Sequence, residues 1–193
     1  MKVYVEGVDK SIDDMFISRG WEITYFIKEA DLVCFEGGAD VDPLLYGEKN
    51  THSYVSEEAD YESLILFTLA NRYEVPMVGI CRGGQFLNIM AGGSMIQHIE
   101  GHGVNHMIYS CYGSADEEVL VTSSHHQAMI PGDNSEVLFK SKDGINEIIL
   151  HDVHKGWFQT PMLSFQPHPE YGGKHDTEEL FFRLINDELG LST

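Results

Sequence analysis

The stretch V-P-M-V-G-I-C-R-G-G-Q-F-L-N-I-M-A-G-G, Val75 to Gly93, constrains this chain more than any other. Its apolar run, Val75 to Ile80, has the length and β-branched content of a buried strand. The run stops at Cys81. Beyond it Gly83 and Gly84 open a segment with Phe86, Leu87 and Met90 at helical spacing. A strand, a tight glycine-flanked turn carrying one nucleophile, and then a helix is the layout of a nucleophile elbow, with Cys in the place of Ser. Gly79 and Gly83 would let the backbone turn sharply and let a substrate approach the sulfur. The helix N-terminus would set free N–H groups and partial positive charge beside it.

A buried structural cysteine is the plain alternative, because Cys is among the most buried residue types. A core cysteine needs no glycines around it, however, and a partner lies downstream in F-Q-P-H-P-E, Phe165 to Glu170. There an apolar strand, Met162 to Gln166, ends in a Pro-rich turn presenting His168 and Glu170. Cys with His, and an acid to orient the imidazole, is the arrangement for covalent attack on an amide. Such partners meet in the fold rather than in the chain.

These residues carry a resemblance. G-I-C-R-G-G-Q with H-P-E far downstream resembles the class I glutamine amidotransferase superfamily, and most of all its γ-glutamyl-γ-aminobutyrate hydrolase and γ-glutamyl hydrolase (peptidase C26) branch. The blocks that match are G-G-A-D-V-D-P-L-L-Y-G-E (Gly37 to Glu48), I-C-R-G-G-Q-F-L-N (Ile80 to Asn88), G-G-S-M-I-Q (Gly92 to Gln97), S-S-H-H-Q-A (Ser123 to Ala128), D-G-I-N-E (Asp143 to Glu147) and F-Q-P-H-P-E. The resemblance implies a three-layer α/β domain of flavodoxin-like type, its open sheet mainly parallel with added antiparallel strands. It implies a γ-glutamyl amide substrate, a γ-glutamyl thioester on Cys81, and release of glutamate with an amine or ammonia. It makes the glycine loop after Phe35 a contributor to the oxyanion hole, with Gly38 favoured over Gly37, alongside the Arg82 N–H that follows the nucleophile. It also makes His125, His126 and Gln127 part of the substrate-facing wall; as plain sequence they lie at a strand end before a turn, where polar groups can face a pocket, with surface loop histidines as the plain alternative. Gln85, one turn into the elbow helix, is placed to meet the amino-acid end of the substrate. This chemistry needs no cofactor.

Two enzyme readings share that chemistry. A γ-glutamyl hydrolase works alone, whereas a glutaminase subunit of an amidotransferase passes ammonia to a partner synthetase in trans. The matching blocks favour the hydrolase. The compactness of the chain resembles free-standing glutaminase subunits, and Pro167 stands where the hydrolase branch usually has an aromatic. A non-catalytic sensor or scaffold is the third reading, disfavoured by the full set of Cys81, His168 and Glu170.

Composition sets outer bounds. The 193 residues suit one domain, 1–193, around one core, and the hydrophobic share of 42% is that of a globular chain. Net charge is −19, from twelve Lys and Arg against thirty-one Asp and Glu. A nucleic-acid partner is thereby disfavoured, because binding to a phosphate backbone rests on cationic neutralisation. No apolar run approaches the roughly 20 residues that span a bilayer. The N-terminus reads directly as a strand, and three cysteines make a poor disulfide framework, so the expected setting is a reducing cytoplasm. Oligomeric state is left open.

The periodicity predicts strands at Lys2 to Val8, Glu22 to Phe26, Leu32 to Phe35, Val104 to Tyr112, Glu118 to Ser123, Glu136 to Ser141 and Ile145 to Asp152. It predicts a helix ending near Gly20, one over Glu57 to Tyr73 with Tyr61, Leu64, Ile65 and Leu69 on its inner face, and one over Asp176 to Leu189 with Leu180, Phe181, Leu184 and Ile185 inward. Asp40 to Tyr54 reads as a polar loop at the pocket rim. Among the ten histidines, His98, His102 and His106 are spaced by four. Gly101 and Gly103 interrupt them, and each disfavours a helix by about 1 kcal/mol relative to Ala. The stretch is therefore expected to become a strand that scatters the rings. His151 and His154 form an H-x-x-H pair with no further ligand cluster, so no metal is expected.

Overall fold

The computed structural model describes residues 1–112, 117–152, 158–171 and 176–191. Its elements are β1 (Lys2–Val5), α1 (Lys10–Ser18), β2 (Glu22–Ile23), β3 (Leu32–Phe35), α2 (Glu57–Arg72), β4 (Met77–Ile80), α3 (Arg82–Met90), β5 (Ser94–Ile96), β6 (His106–Ser110), β7 (Glu118–Val121), β8 (Ala128–Ile130), β9 (Ser135–Ser141), β10 (Asn146–His151), β11 (Met162–Phe165) and α4 (Asp176–Leu189). Nine strands form one sheet in the order β2-β1-β3-β4-β11-β10-β9-β6-β7, and β5 pairs with β8 separately. Neighbours from β2 to β11 run parallel, and those from β11 to β7 antiparallel.

Burial explains the split. Strands β3, β4 and β11 read L-V-C-F, M-V-G-I and M-L-S-F and are buried at every position, as parallel strands covered on both faces must be. Edge strand β7 alternates exposed and buried residues. On one face α1 and α4 interlock through Phe16 and Phe181, with Phe181 edge-on to Phe165 at 5.1 Å between centroids. On the other, Phe67 of α2 and Phe35 of β3 meet Phe86 of α3 at 6.2 and 5.6 Å. The result is the three-layer α/β architecture expected, with mostly parallel central strands.

The differences from expectation have local causes. The first strand stops at Val5, and the second keeps only Glu22–Ile23 before a 3-10 turn at Ile27–Glu29. Helix α2 is capped by Ser56, whose Oγ accepts from the Ala59 N–H at 3.3 Å, but it buries Asp60, Ser63, Leu66, Phe67 and Ala70. Tyr61 and Ile65 are exposed, and Leu64 is only partly buried. The inner face departs from the apolar pattern because two of its residues are polar and pair with a buried arginine. Strands β5 and β8 were not anticipated; His125 to Gln127 therefore lead into a strand rather than a turn. Helix α4 matches in bounds and in its inward residues. Among the described residues no helix is long and apolar enough to cross a membrane.

A Cβ at Gly79 would sit 2.2 Å from the Gly83 carbonyl carbon, and one at Gly83 would sit 2.4 Å from the Phe35 carbonyl oxygen. Both neighbours are backbone and cannot rotate away. Gly79→Ala and Gly83→Ala should each lower stability by about 3 kcal/mol, read as a reduced urea midpoint. Gly103→Ala, where the new methyl meets open space, should leave the midpoint nearly unchanged. Equal midpoints for all three would contradict the close approach.

Candidate active site

Three neighbouring parallel strands deliver the site at their C-terminal ends, where ligands bind in open α/β sheets. β3 runs into Gly37 and Gly38, β4 into Cys81, and β11 into Gln166 to Glu170. Cys81 adopts φ 50, ψ −109, one of two described non-glycine residues with positive φ. A conformation this costly for an L-residue persists only where its surroundings fix it. The Cys81 N–H donates to the Phe165 carbonyl at 2.8 Å, and its own carbonyl accepts the Gln85 N–H at 3.0 Å to begin α3.

His168 sits between two prolines, each with a fixed φ, where the chain bends and turns after β11. Gln166 N–H donates to Glu147 O at 2.8 Å and His168 N–H to Thr122 O at 2.9 Å. The ring Nδ1 lies 2.6 Å from Glu170 Oε1, both groups being buried. Its Nε2 lies 2.9 Å from Ser124 Oγ, and its face stacks on Tyr171 at 4.4 Å with 6° between planes. Burial alone would push the imidazole pKa down. Hydrogen bonds to Cys81 and Glu170, with their charges, outweigh it and raise the value to about 10. His168 is thus held protonated beside the sulfur.

The sulfur has a further donor in Gln166, whose Nε2 is 3.6 Å away and whose Oε1 accepts from Gln85 Nε2 at 3.2 Å. Gln85 lines the pocket, yet its amide supports Gln166. Cys81, Gly38, Asp40, Gln85, His126 and His168 are among the walls of a cavity of about 270 Å³. His126 Nε2 pairs with Asp40 Oδ1 at 3.2 Å on its rim. His125 borders the same cavity, but its ring nitrogens reach Gln127 O at 2.8 Å and Glu147 Oε2 at 3.4 Å. The buried Gln127 side chain turns to Ser53 Oγ and Gln97 O instead. Gly37 lies close under the pair, since a Cβ there would be 3.3 Å from His168 Cε1 and 3.8 Å from Cys81 Cβ.

Arg82 sends its side chain away from the pocket. The buried guanidinium donates to Ser63 Oγ and Asp60 Oδ1, each at 2.5 Å, and lies 4.0 Å from Glu6 Oε2. Ser63 in turn donates to Glu6, and Asp60 accepts the Asp42 N–H. This network ties the start of α3 to α2, to the end of β1 and to the loop after Gly38.

Sequence reasoning set Asp40 in the rim loop without a role of its own, and passed over Ser124, Gln166 and Tyr171. Ser124 and Gln166 lie inside the blocks S-S-H-H-Q-A and F-Q-P-H-P-E, where the titratable side chains drew the attention. It also expected the histidines before β6 to be scattered. His102 and His106 instead converge with His125 on Glu147. His98 is apart, stacked on His52. His151 is a core residue between Ser135 Oγ and Ser164 Oγ, its pKa driven down to about 3 by burial. His154 lies outside the described residues.

Comparison with known proteins bears on family and fold. Residues 16–112, just over half the chain, match the Peptidase C26 family. The glutamine amidotransferase-like protein YvdE of Lactococcus lactis is 28% identical across 90% of this chain and 80% of its own length. The carbamoyl phosphate synthase small chain of Xylella fastidiosa is 36% identical across 67% of this chain, which spans only 34% of that protein. A glutamine amidotransferase structure from Thermotoga maritima superposes with a TM-score of 0.65 over 98% of this chain and 83% of its own; at 17% identity the likeness is one of fold. The chain belongs to the Peptidase C26 family, within the class I glutamine amidotransferase-like superfamily.

Proposed function

We propose that this chain hydrolyses γ-glutamyl amide bonds through a γ-glutamyl thioester on Cys81. The observation that carries the reading is a cysteine at positive φ on a strand-to-helix turn, facing a histidine whose other nitrogen is 2.6 Å from a buried carboxylate. The proton shared by the pair rests on His168, and the Cys81 sulfur attacks the γ-carbonyl. The carbonyl oxygen gains the negative charge, met by the Arg82 and Gly38 N–H groups. On collapse the C–N bond breaks and His168 gives its proton to the departing amine or ammonia. Water then attacks the thioester, His168 removes its proton, and glutamate leaves as the thiol is restored. Glu170 keeps the ring oriented and stabilises its charged form. Asp40, on the pocket rim, offers a carboxylate to the substrate ammonium, and His126 beside it can meet the α-carboxylate. A cavity of about 270 Å³ suits a glutamyl group and leaves the amine towards solvent.

Similarity to the carbamoyl phosphate synthase small chain favours a second reading, a glutaminase that delivers ammonia to a partner synthetase. A set of γ-glutamyl amides, glutamine included, assayed for released glutamate with the protein alone separates the two. Robust turnover of γ-glutamyl amines supports the hydrolase; slow glutaminase activity that rises steeply with an added synthetase supports the subunit. In that assay Cys81→Ala and His168→Ala should each lose about 10⁴-fold or more in kcat, with Glu170→Ala one to two orders of magnitude milder. Near-normal turnover by Cys81→Ala would end the covalent reading.

The charge state of His168 gives an independent test. Its pKa is near 10 in the folded chain, against about 6.5 when unfolded. A raised value means that the folded state holds the proton more tightly. The associated stability is therefore complete below pH about 6.5 and lost as pH rises through about 10. An NMR titration of the His168 ring should show imidazolium at pH 8 in the wild type and a lower midpoint in Cys81→Ala, which lacks one of the two supporting bonds. A wild-type midpoint near the unfolded value would contradict the pairing.

A further inference from the structure

Four side chains from distant parts of the chain converge, and one of them, His125, also borders the Cys81 cavity. His102 precedes β6, His106 begins it, His125 follows β7, and Glu147 lies in β10. The Glu147 position is irregular, because the β10–β9 register shifts between Asn146 and Ile148. Such a bulge re-aims a side chain out of the regular pleat. His102 Nδ1 and His106 Nε2 lie 3.1 and 3.0 Å from Glu147 Oε1, and His125 Nε2 lies 3.4 Å from Oε2. The side chains of Glu147, His125 and His102 are at most 5% exposed, and that of His106 is 17% exposed.

The opposite nitrogen of each ring fixes its tautomer. His106 Nδ1 is 3.0 Å from the Val104 carbonyl, and His125 Nδ1 is 2.8 Å from the Gln127 carbonyl. A carbonyl oxygen can only accept, so both Nδ1 atoms carry hydrogen. His102 Nε2 is 3.1 Å from Asp143 Oδ2, and a carboxylate oxygen accepts, so this nitrogen carries the hydrogen. In neutral rings the remaining nitrogens are lone pairs, and all three point at the carboxylate of Glu147. His102 Nδ1, His125 Nε2 and Glu147 Oε2 are buried and make no hydrogen bond. Acceptors facing acceptors in a buried place require a positive charge between them.

Extra protons on the rings would answer that need only by gathering up to three imidazolium charges around one carboxylate. A single divalent cation answers it with every donor used. Histidine ligands characteristically donate their far N–H to a carbonyl or carboxylate, as all three do here. Zinc bonds of about 2.0–2.1 Å in a tetrahedron place ligand atoms about 3.3–3.4 Å apart, close to the N···O spacings of 3.0, 3.1 and 3.4 Å. All four ligand atoms lie within 4.8 Å of one another. An open cleft of about 460 Å³, bordered by His102 and His106, offers a way in from solvent.

We propose that His102, His106, His125 and Glu147 bind one divalent transition cation of the zinc class. Four protein ligands make the site closed and structural rather than hydrolytic. Its place in the fold gives it a role. His125 is the neighbour of Ser124, which touches His168 Nε2, and the Glu147 carbonyl holds the N–H of Gln166, which touches the sulfur. A bound ion would fasten both segments behind the pocket.

The test uses the full chain, stripped with a chelator and titrated with Co²⁺, with Zn²⁺ as competitor. One equivalent of Co²⁺ should give the intense visible bands of a tetrahedral centre, and Zn²⁺ should abolish them. Cys81→Ala should keep these bands, which separates the site from the catalytic thiol. His106→Ala and Glu147→Gln should weaken binding by about 100-fold or more, with circular dichroism reporting whether each still folds. X-ray absorption of the Zn²⁺-loaded wild type provides a readout that needs no variant: nitrogen and oxygen neighbours at about 2.0–2.1 Å and no sulfur. Absence of stoichiometric binding, loss of the bands in Cys81→Ala, sulfur in the zinc shell, or undiminished binding by folded variants would each overturn the proposal.

Discussion

The site depends first on how closely backbone can approach backbone beneath it. Helix α3 starts directly over β3 and β4, with Gly83 against the Phe35 carbonyl and Gly79 against Gly83. Only hydrogen atoms fit in those gaps. Because the helix sits so low, the chain must reverse within Cys81 itself, and the residue is driven to φ 50. The strain exposes the sulfur at the mouth of the sheet. Packing of Phe35, Phe67 and Phe86 around the same helix supplies the apolar burial that offsets it, at about 1.5–3 kcal/mol per large side chain.

A buried charge network then fixes what the packing leaves free. Arg82 could have pointed into the pocket, next to the sulfur. It is instead anchored by Asp60 and Ser63. Removing one partner from such a network costs about 3–5 kcal/mol, because the remaining charge stays buried. Asp60 also accepts the Asp42 N–H, and Ser63 donates to Glu6. The loop that follows the glycines is therefore coupled to the elbow through the Arg82 network.

What could be read from the chain divides along physical lines. Signals carried by local backbone chemistry were plain: the apolar strand before Cys81, the glycines around it, the prolines flanking His168, and the 3.6-residue pattern of α4. Signals created by tertiary pairing were not. Asp60 and Ser63 look like surface residues of α2 until Arg82 is placed beneath them, so the apolar pattern alone points to the wrong face. Strands β5 and β8 have three residues each and pair only with one another, too short for alternation to stand out. Gln127, assigned to the pocket wall by resemblance, turns its amide to Ser53 and Gln97 because β8 begins directly after it. His102 and His106 converge through a bulge in another strand, which no spacing rule within their own segment could reveal.

The central claim is that Cys81 becomes covalently acylated. It is tested most directly by acid-quenching the wild-type protein during turnover of a γ-glutamyl anilide and mapping the modified peptide by mass spectrometry. A good leaving group makes breakdown of the thioester the slow step, so the adduct accumulates. The account predicts a γ-glutamyl group on the peptide carrying Cys81, released by hydroxylamine as a thioester should be. Steady turnover with Cys81 unmodified, or with the adduct on another residue, would contradict it.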